Sequence, residues 1–91
     1  MTPDDKIRQM FVEAVQDEDA DQLLAQLAAE AMLEKLAKKR ADGRMGWWTT
    51  SASNEALLES LRKHVDKGDM ADVLNLAAMI MVRRKLYGDA A

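Results

Sequence analysis

HVDKGDMADVLNLAAMIMV, residues 64–82, decides how the rest of the chain must be arranged. It reads as the end of one helix, a tight corner at Gly68 and a second helix. From Val73 to Val82 that second helix carries one strongly polar residue, Asn75. A helix apolar nearly all round must be covered nearly all round. The stretch is therefore read as the central helix of a small bundle or as the seam of an oligomer.

Working back from the corner, Leu57, Leu58, Leu61 and Val65 recur at helical spacing. Ser53 is the expected cap of that helix, and Glu59, Arg62, Lys63 and Asp66 face outward. A connection as short as Gly68-Asp69 makes the two helices, about 54–67 and 70–87, an antiparallel hairpin. Asp69 is placed to cap the second of them, and Gly88 follows its end.

Upstream lies DGRMGWWTTSAS, residues 42–53, the only long irregular segment. Irregular segments of this length in small domains are disposed to carry function. Before it, Leu23, Leu24, Leu27, Ala28, Ala31, Met32 and Leu36 mark a helix from about Ala20 to Ala41. Its last turn holds Lys35, Lys38, Lys39 and Arg40, which suit the negative end of a helix dipole. Thr2-Pro3-Asp4-Asp5 starts a first helix of about residues 3–17, with an apolar stripe of Ile7, Met10, Phe11, Ala14 and Val15. A break is expected near 18–20, with Asp19 or Asp17 as the cap of the next helix and Gln22 in capping-box spacing from Asp19. The fold expected is one all-α domain over residues 1–91, a bundle of three to four helices.

The 91 residues carry a formal charge of −3, which disfavours a duplex nucleic-acid binder. There is no cysteine, hence no disulfide framework and no thiolate metal site. The acidic opening MTPDDKIRQ is unlike a secretory signal, and the longest apolar run, Leu76–Val82, is too short to cross a bilayer. A cytoplasmic protein is expected.

Two groups of residues are candidates for chemistry. Asp69 and Asp72 are three apart, and Glu30 and Glu34 are four apart on the long helix. Four carboxylates from two helices of a bundle are one way to hold Mg²⁺ beside a phosphate. The plainer reading makes Asp69 a cap, Asp72 a dipole partner and the glutamates a solvated face. The second group is Trp47 and Trp48 with Arg44, Lys39 and Arg40, a candidate contact surface. Either ring can instead close the end of the bundle or cover an alanine-rich surface. His64, the only histidine, is expected as a packed or edge residue rather than a metal ligand. Arg83-Arg84-Lys85 reads as solvated charge at a helix end.

From Met32 onward, MLEKLAKKRADGRMGWW and LLESLRKHVDKGDMADVLNLAAMIM resemble small proteins encoded in bacteriophages and prophages. The shared pattern is a basic helix end, a Gly-Trp loop, an HV-x-KGD corner and D-V-x-N before a Met-rich helix. That group is in turn similar to MazG-like nucleoside triphosphate pyrophosphohydrolases, all-α oligomers that bind Mg²⁺ through E-E-x-x-E and E-x-x-D motifs. Asp69 and Asp72 match the second motif in spacing. The first would fall on residues 63–67, where Lys63, His64 and Lys67 replace carboxylates and cannot bind Mg²⁺. The resemblance implies a non-enzymatic accessory protein that binds a host protein through the Gly-Trp loop and the basic helix end. The alternative it implies is a pyrophosphohydrolase or nucleotide-binding descendant, with Mg²⁺ on Asp69, Asp72, Glu30 and Glu34. A homodimer or higher homo-oligomer is expected in either case.

Overall fold

A computed structural model describes residues 2–14 and 16–89, and among the described residues there are four helices and no strand. Helix α1 spans Pro3–Val12, α2 Asp17–Ala41, α3 Asn54–Lys67 and α4 Met70–Tyr87. The chain divides into two compact units, Met1–Glu30 and Ala31–Ala91.

In the first unit, Thr2 and Asp5 cap α1 reciprocally. The Thr2 hydroxyl oxygen accepts from the Asp5 backbone N–H at 3.3 Å, and the Asp5 carboxylate accepts from the Thr2 N–H at 3.2 Å. The helix stops at Val12, five residues earlier than expected, and the Asp17-Glu18-Asp19 run opens α2 instead of breaking the chain. Three acidic side chains in a first turn complement the positive helix end, so the run starts a helix more readily than it interrupts one. Ile7, Met10, Phe11 and Ala14 are exposed or half-buried, and Val15 lies outside the described residues.

In the second unit the antiparallel hairpin falls where the sequence placed it. Ser53 caps α3, its hydroxyl accepting from the Ala56 N–H at 3.2 Å. At the other end Gly68 has φ +75°, and the Gly68 and Asp69 N–H groups return to the carbonyls of Val65 and His64, both at 3.0 Å. These paired bonds close a helix only when the residue after it is left-handed, which favours glycine. A Cβ at Gly68 would meet nothing within 4 Å, so Gly68→Ala carries a backbone cost alone. It is expected to lower stability by about 1 kcal/mol, read as a shift in denaturant midpoint with an unchanged slope.

The central helix is inverted relative to its expected role. The side of α4 that is most buried is its polar side: Arg83 is 1 % exposed, Asn75 2 % and Asp72 3 %. Among the described residues Ile80 is the one buried large hydrophobic, whereas Met70, Leu74, Met81, Val82 and Leu86 are exposed. Asp72, Asn75, Met79 and Arg83 follow one another at three- and four-residue steps and so share one stripe. This stripe faces the last part of α2 and the connection between α2 and α3. Asn75 Nδ2 donates to the Met32 carbonyl at 3.1 Å, fixing α4 against α2.

Candidate functional site: a cleft between the α2 end, the Gly-Trp loop and the α3–α4 hairpin

The α2 helix ends at Ala41, and past it Gly43 takes a left-handed φ of +83°, with the Arg44 N–H returned to the Lys39 carbonyl at 2.8 Å. The chain then runs through residues 44–53, and its course is set from α4. Arg83 Nε donates to Asn54 Oδ1 at 2.8 Å, and its terminal nitrogens donate to the carbonyls of Trp47 (2.8 Å), Thr49 (2.6 Å) and Ala52 (2.9 Å). Tyr87 adds its hydroxyl to the Trp48 carbonyl at 2.6 Å, and the Arg83 guanidinium lies 5.3 Å from the centre of the Tyr87 ring. Carbonyl oxygens and a ring face thus surround the guanidinium, a planar fork suited to several acceptors at once. Arg83 is therefore no solvated helix-end charge; it is the anchor of the loop. The signal for it was its phase, since Arg83 continues the Asp72–Asn75–Met79 stripe while Arg84 and Lys85 point away.

The anchored loop closes one side of a cleft of about 490 Å³. All five residues expected to form a contact surface line it: Lys39, Arg40, Arg44, Trp47 and Trp48. Its apolar floor comes from Leu36, Leu57, Leu76 and Met79, and His64, Asp72 and Asn75 stand at one end. The tryptophan rings meet edge to face, 5.9 Å apart with 77° between their planes. Trp47 is half-buried and Trp48 half-exposed, so one ring serves packing and the other is available to a ligand.

At the corner, the carboxylates are matched by cations from α2. Lys35 Nζ lies 3.4 Å from Asp69 Oδ2 and 3.5 Å from Asp72 Oδ2, and Lys39 Nζ lies 3.3 Å from Asp72 Oδ1. His64 Nδ1 is 3.5 Å from Asp72 Oδ2. The hydrogen bond to Asp69, and then the charge of Asp72, hold the Lys35 ammonium above the usual lysine range. Burial opposes the charged form of Asp72, but Asp69, Lys39 and Lys35 outweigh it, and its carboxyl is held below the usual range. Asp69 makes no side-chain bond to the start of α4; its carboxylate is drawn to Lys35 instead of capping.

Within the second unit, Glu34 is not brought to Asp69 and Asp72 as a ligand set for Mg²⁺ would require. Glu30 is exposed, and Glu34 is exposed with its oxygen 3.9 Å from Lys38. The side of α2 turned to Asp69 and Asp72 is that of Lys35 and Lys39, a four-residue step that excludes position 34. Among the described residues the group with metal-ligand proximity is His64, Asp69 and Asp72, whose ligand atoms lie within 4.8 Å of one another. Two ammonium groups already sit on those carboxylate oxygens. This donor set does not fit Mg²⁺, which needs near-octahedral oxygen ligation with uncompensated carboxylates.

The molecule defined by these features is an all-α protein of four helices with a basic, tryptophan-lined cleft. Comparison of its sequence and structure with protein-family models, curated proteins and solved structures finds no match. No described helix is long and apolar enough to cross a membrane.

Proposed function

We propose that the protein is a non-enzymatic accessory protein of the phage-encoded kind, working in the host cytoplasm by seating a segment of a host protein in the cleft. The observation that carries this reading is the convergence of Lys39, Arg40, Arg44, Trp47 and Trp48 on one cavity with an apolar floor. Basic side chains beside aromatic rings suit a segment that carries carboxylates and an apolar or aromatic side chain. The residues at the polar end are engaged with one another, which fits a surface for binding more readily than a centre for hydrolysis.

Affinity capture from host lysate tests the proposal. A specific partner retained by the wild-type chain is expected to fall by about tenfold or more with Arg44→Glu/Trp48→Ala, a loss usual for contact residues of this type. Arg84→Glu, away from the cleft, serves as the control. An unchanged profile after the double substitution overturns the reading.

A nucleotide in the same cleft is the second reading, favoured by a half-exposed tryptophan beside cationic side chains. Incubation with nucleoside triphosphates and Mg²⁺ separates the two. Pyrophosphate release abolished by Asp72→Ala would replace the binding role with hydrolysis, and saturable nucleotide binding without turnover would identify a nucleotide-binding descendant.

A further inference from the structure

We propose that α4 is the seam of a two-fold homodimer. In it the outward stripe of Met70, Leu74, Ala77 and Met81 on one copy packs antiparallel against the same stripe of a second copy. The four residues recur at steps of four, three and four, so they run along one side of α4. That side lies opposite the buried Asp72–Asn75–Arg83 stripe. Met70, Leu74 and Met81 are 53 %, 42 % and 55 % exposed, and Ala77 is exposed too. No charged residue occurs on this side before Arg84. An open groove of about 510 Å³ runs alongside; Leu58, Leu61, Ala77, Ile80 and Met81 form its apolar part, and Arg84, Lys85 and Asp89 its charged end. A continuous exposed apolar surface of this kind marks an association site.

A second copy fits this surface because the stripe is complementary to itself. Its large side chains lie towards the ends and its alanines, Ala77 and the adjoining Ala78, lie at the middle. An antiparallel alignment centred between those alanines sets Leu74 of each copy against Met81 of the other. The small residues let the helices approach there, and the groove beside Met81 receives the opposing Leu74. Charge fixes the direction. A parallel alignment would bring Arg84 and Lys85 against the same residues of the other copy. The antiparallel one separates the two basic ends and carries each to the other copy's corner, where Asp66 lies beside Lys67. The contact is isologous and closes at two chains. It leaves the cleft open, since the cleft uses Asp72, Asn75, Leu76 and Met79 from the other side of α4.

Sedimentation velocity on the full chain tests this. The wild type is expected to be dimeric. Leu74→Glu is expected to be monomeric with unchanged helical circular dichroism, its dissociation constant raised by about a hundredfold through two buried, unpaired carboxylates. Single cysteines then read the register, because the chain has none of its own. Ala77→Cys is expected to form a disulfide-linked dimer on mild oxidation. Met70→Cys should not link to itself, because its two copies would stand about 22 Å apart along the seam. A mixture of Met70→Cys and Lys85→Cys is expected to yield the crossed product. A monomeric wild type, a dimer that Leu74→Glu leaves intact, or self-linked Met70→Cys would each overturn the proposal.

Discussion

Replacement of Arg83 by methionine is expected to lower stability by about 3–5 kcal/mol, the largest effect of any single side chain described here. The substitution keeps most of the apolar stem and removes only the fork. Four acceptors lose their donor together: Asn54 Oδ1 and the carbonyls of Trp47, Thr49 and Ala52. Each buried polar group left without a partner costs about 1–3 kcal/mol, and water entering the opened loop recovers part of the sum. Small domains have about 5–15 kcal/mol of stability in total, so a large share is removed. Lysine at this position keeps the charge but replaces a planar fork with a point donor, and is expected to recover less than half of the loss. Arg84→Met, one residue on and exposed, is expected to stay within about 0.5 kcal/mol of the wild type. Chemical denaturation of the three variants checks the ordering. If Arg83→Met and Arg84→Met were equally mild, the guanidinium would not be the anchor of the loop.

The second large effect is expected at Asp72. Asp72→Asn keeps the shape and removes the charge that Lys35, Lys39 and His64 surround. Breaking a fully buried pair costs about 3–5 kcal/mol, but both lysines here remain within reach of water, so about 1–3 kcal/mol is expected. The pH dependence follows from the direction of each shift. The folded-state pKa of Asp72 lies below its unfolded value, which is about 3.9 for an aspartate. Its contribution is therefore complete above that value and is lost as pH falls through the folded-state pKa. Lys35 is displaced the other way, so its contribution is complete below the ordinary lysine value, about 10.4, and is lost as pH rises through the higher folded-state one. Stability is expected to be flat through neutrality on account of these two groups and to fall in acid. In Asp72→Asn that acid limb should shrink. Thermal melts from neutral pH down to about pH 2 measure it, and an acid limb identical to the wild type would remove Asp72 from the account.

The hairpin was legible in the sequence because its signals are local. Ser53, the Leu57–Leu61 stripe, Gly68 and Gly88 each act on the few residues beside them, and no distant partner can reverse their meaning. The break after α1 was displaced for a related reason. Acidic residues in a row favour both a solvated break and the first turn of a helix, and the composition of 17–19 satisfies both. The site was harder to read because its partners are far apart in the chain. Lys39 stands in the last turn of a helix and Lys35 one turn before it, in a basic run that dipole complementarity already accounts for in large part, and nothing nearby points to Asp69 or Asp72. Arg83 has the same ambiguity, and only the phase of α4 separates it from Arg84. The expected contact residues did converge, since Lys39 and Arg40 end one helix and Arg44, Trp47 and Trp48 begin the loop that folds back over them.

The bonds that hold this loop reach back across 31 to 39 residues, from Arg83 and Tyr87 to the carbonyls of Trp47, Trp48, Thr49 and Ala52. Every one of those donors is contributed by the last two turns of the final helix. The loop therefore cannot take its bound course when it is first made; it waits for the chain beyond residue 83 to be present and docked. During synthesis the two tryptophans emerge well before the arginine that will position them. A chain cut short before Arg83 would carry Lys39, Arg40, Arg44, Trp47 and Trp48 without the donors that hold the loop in place.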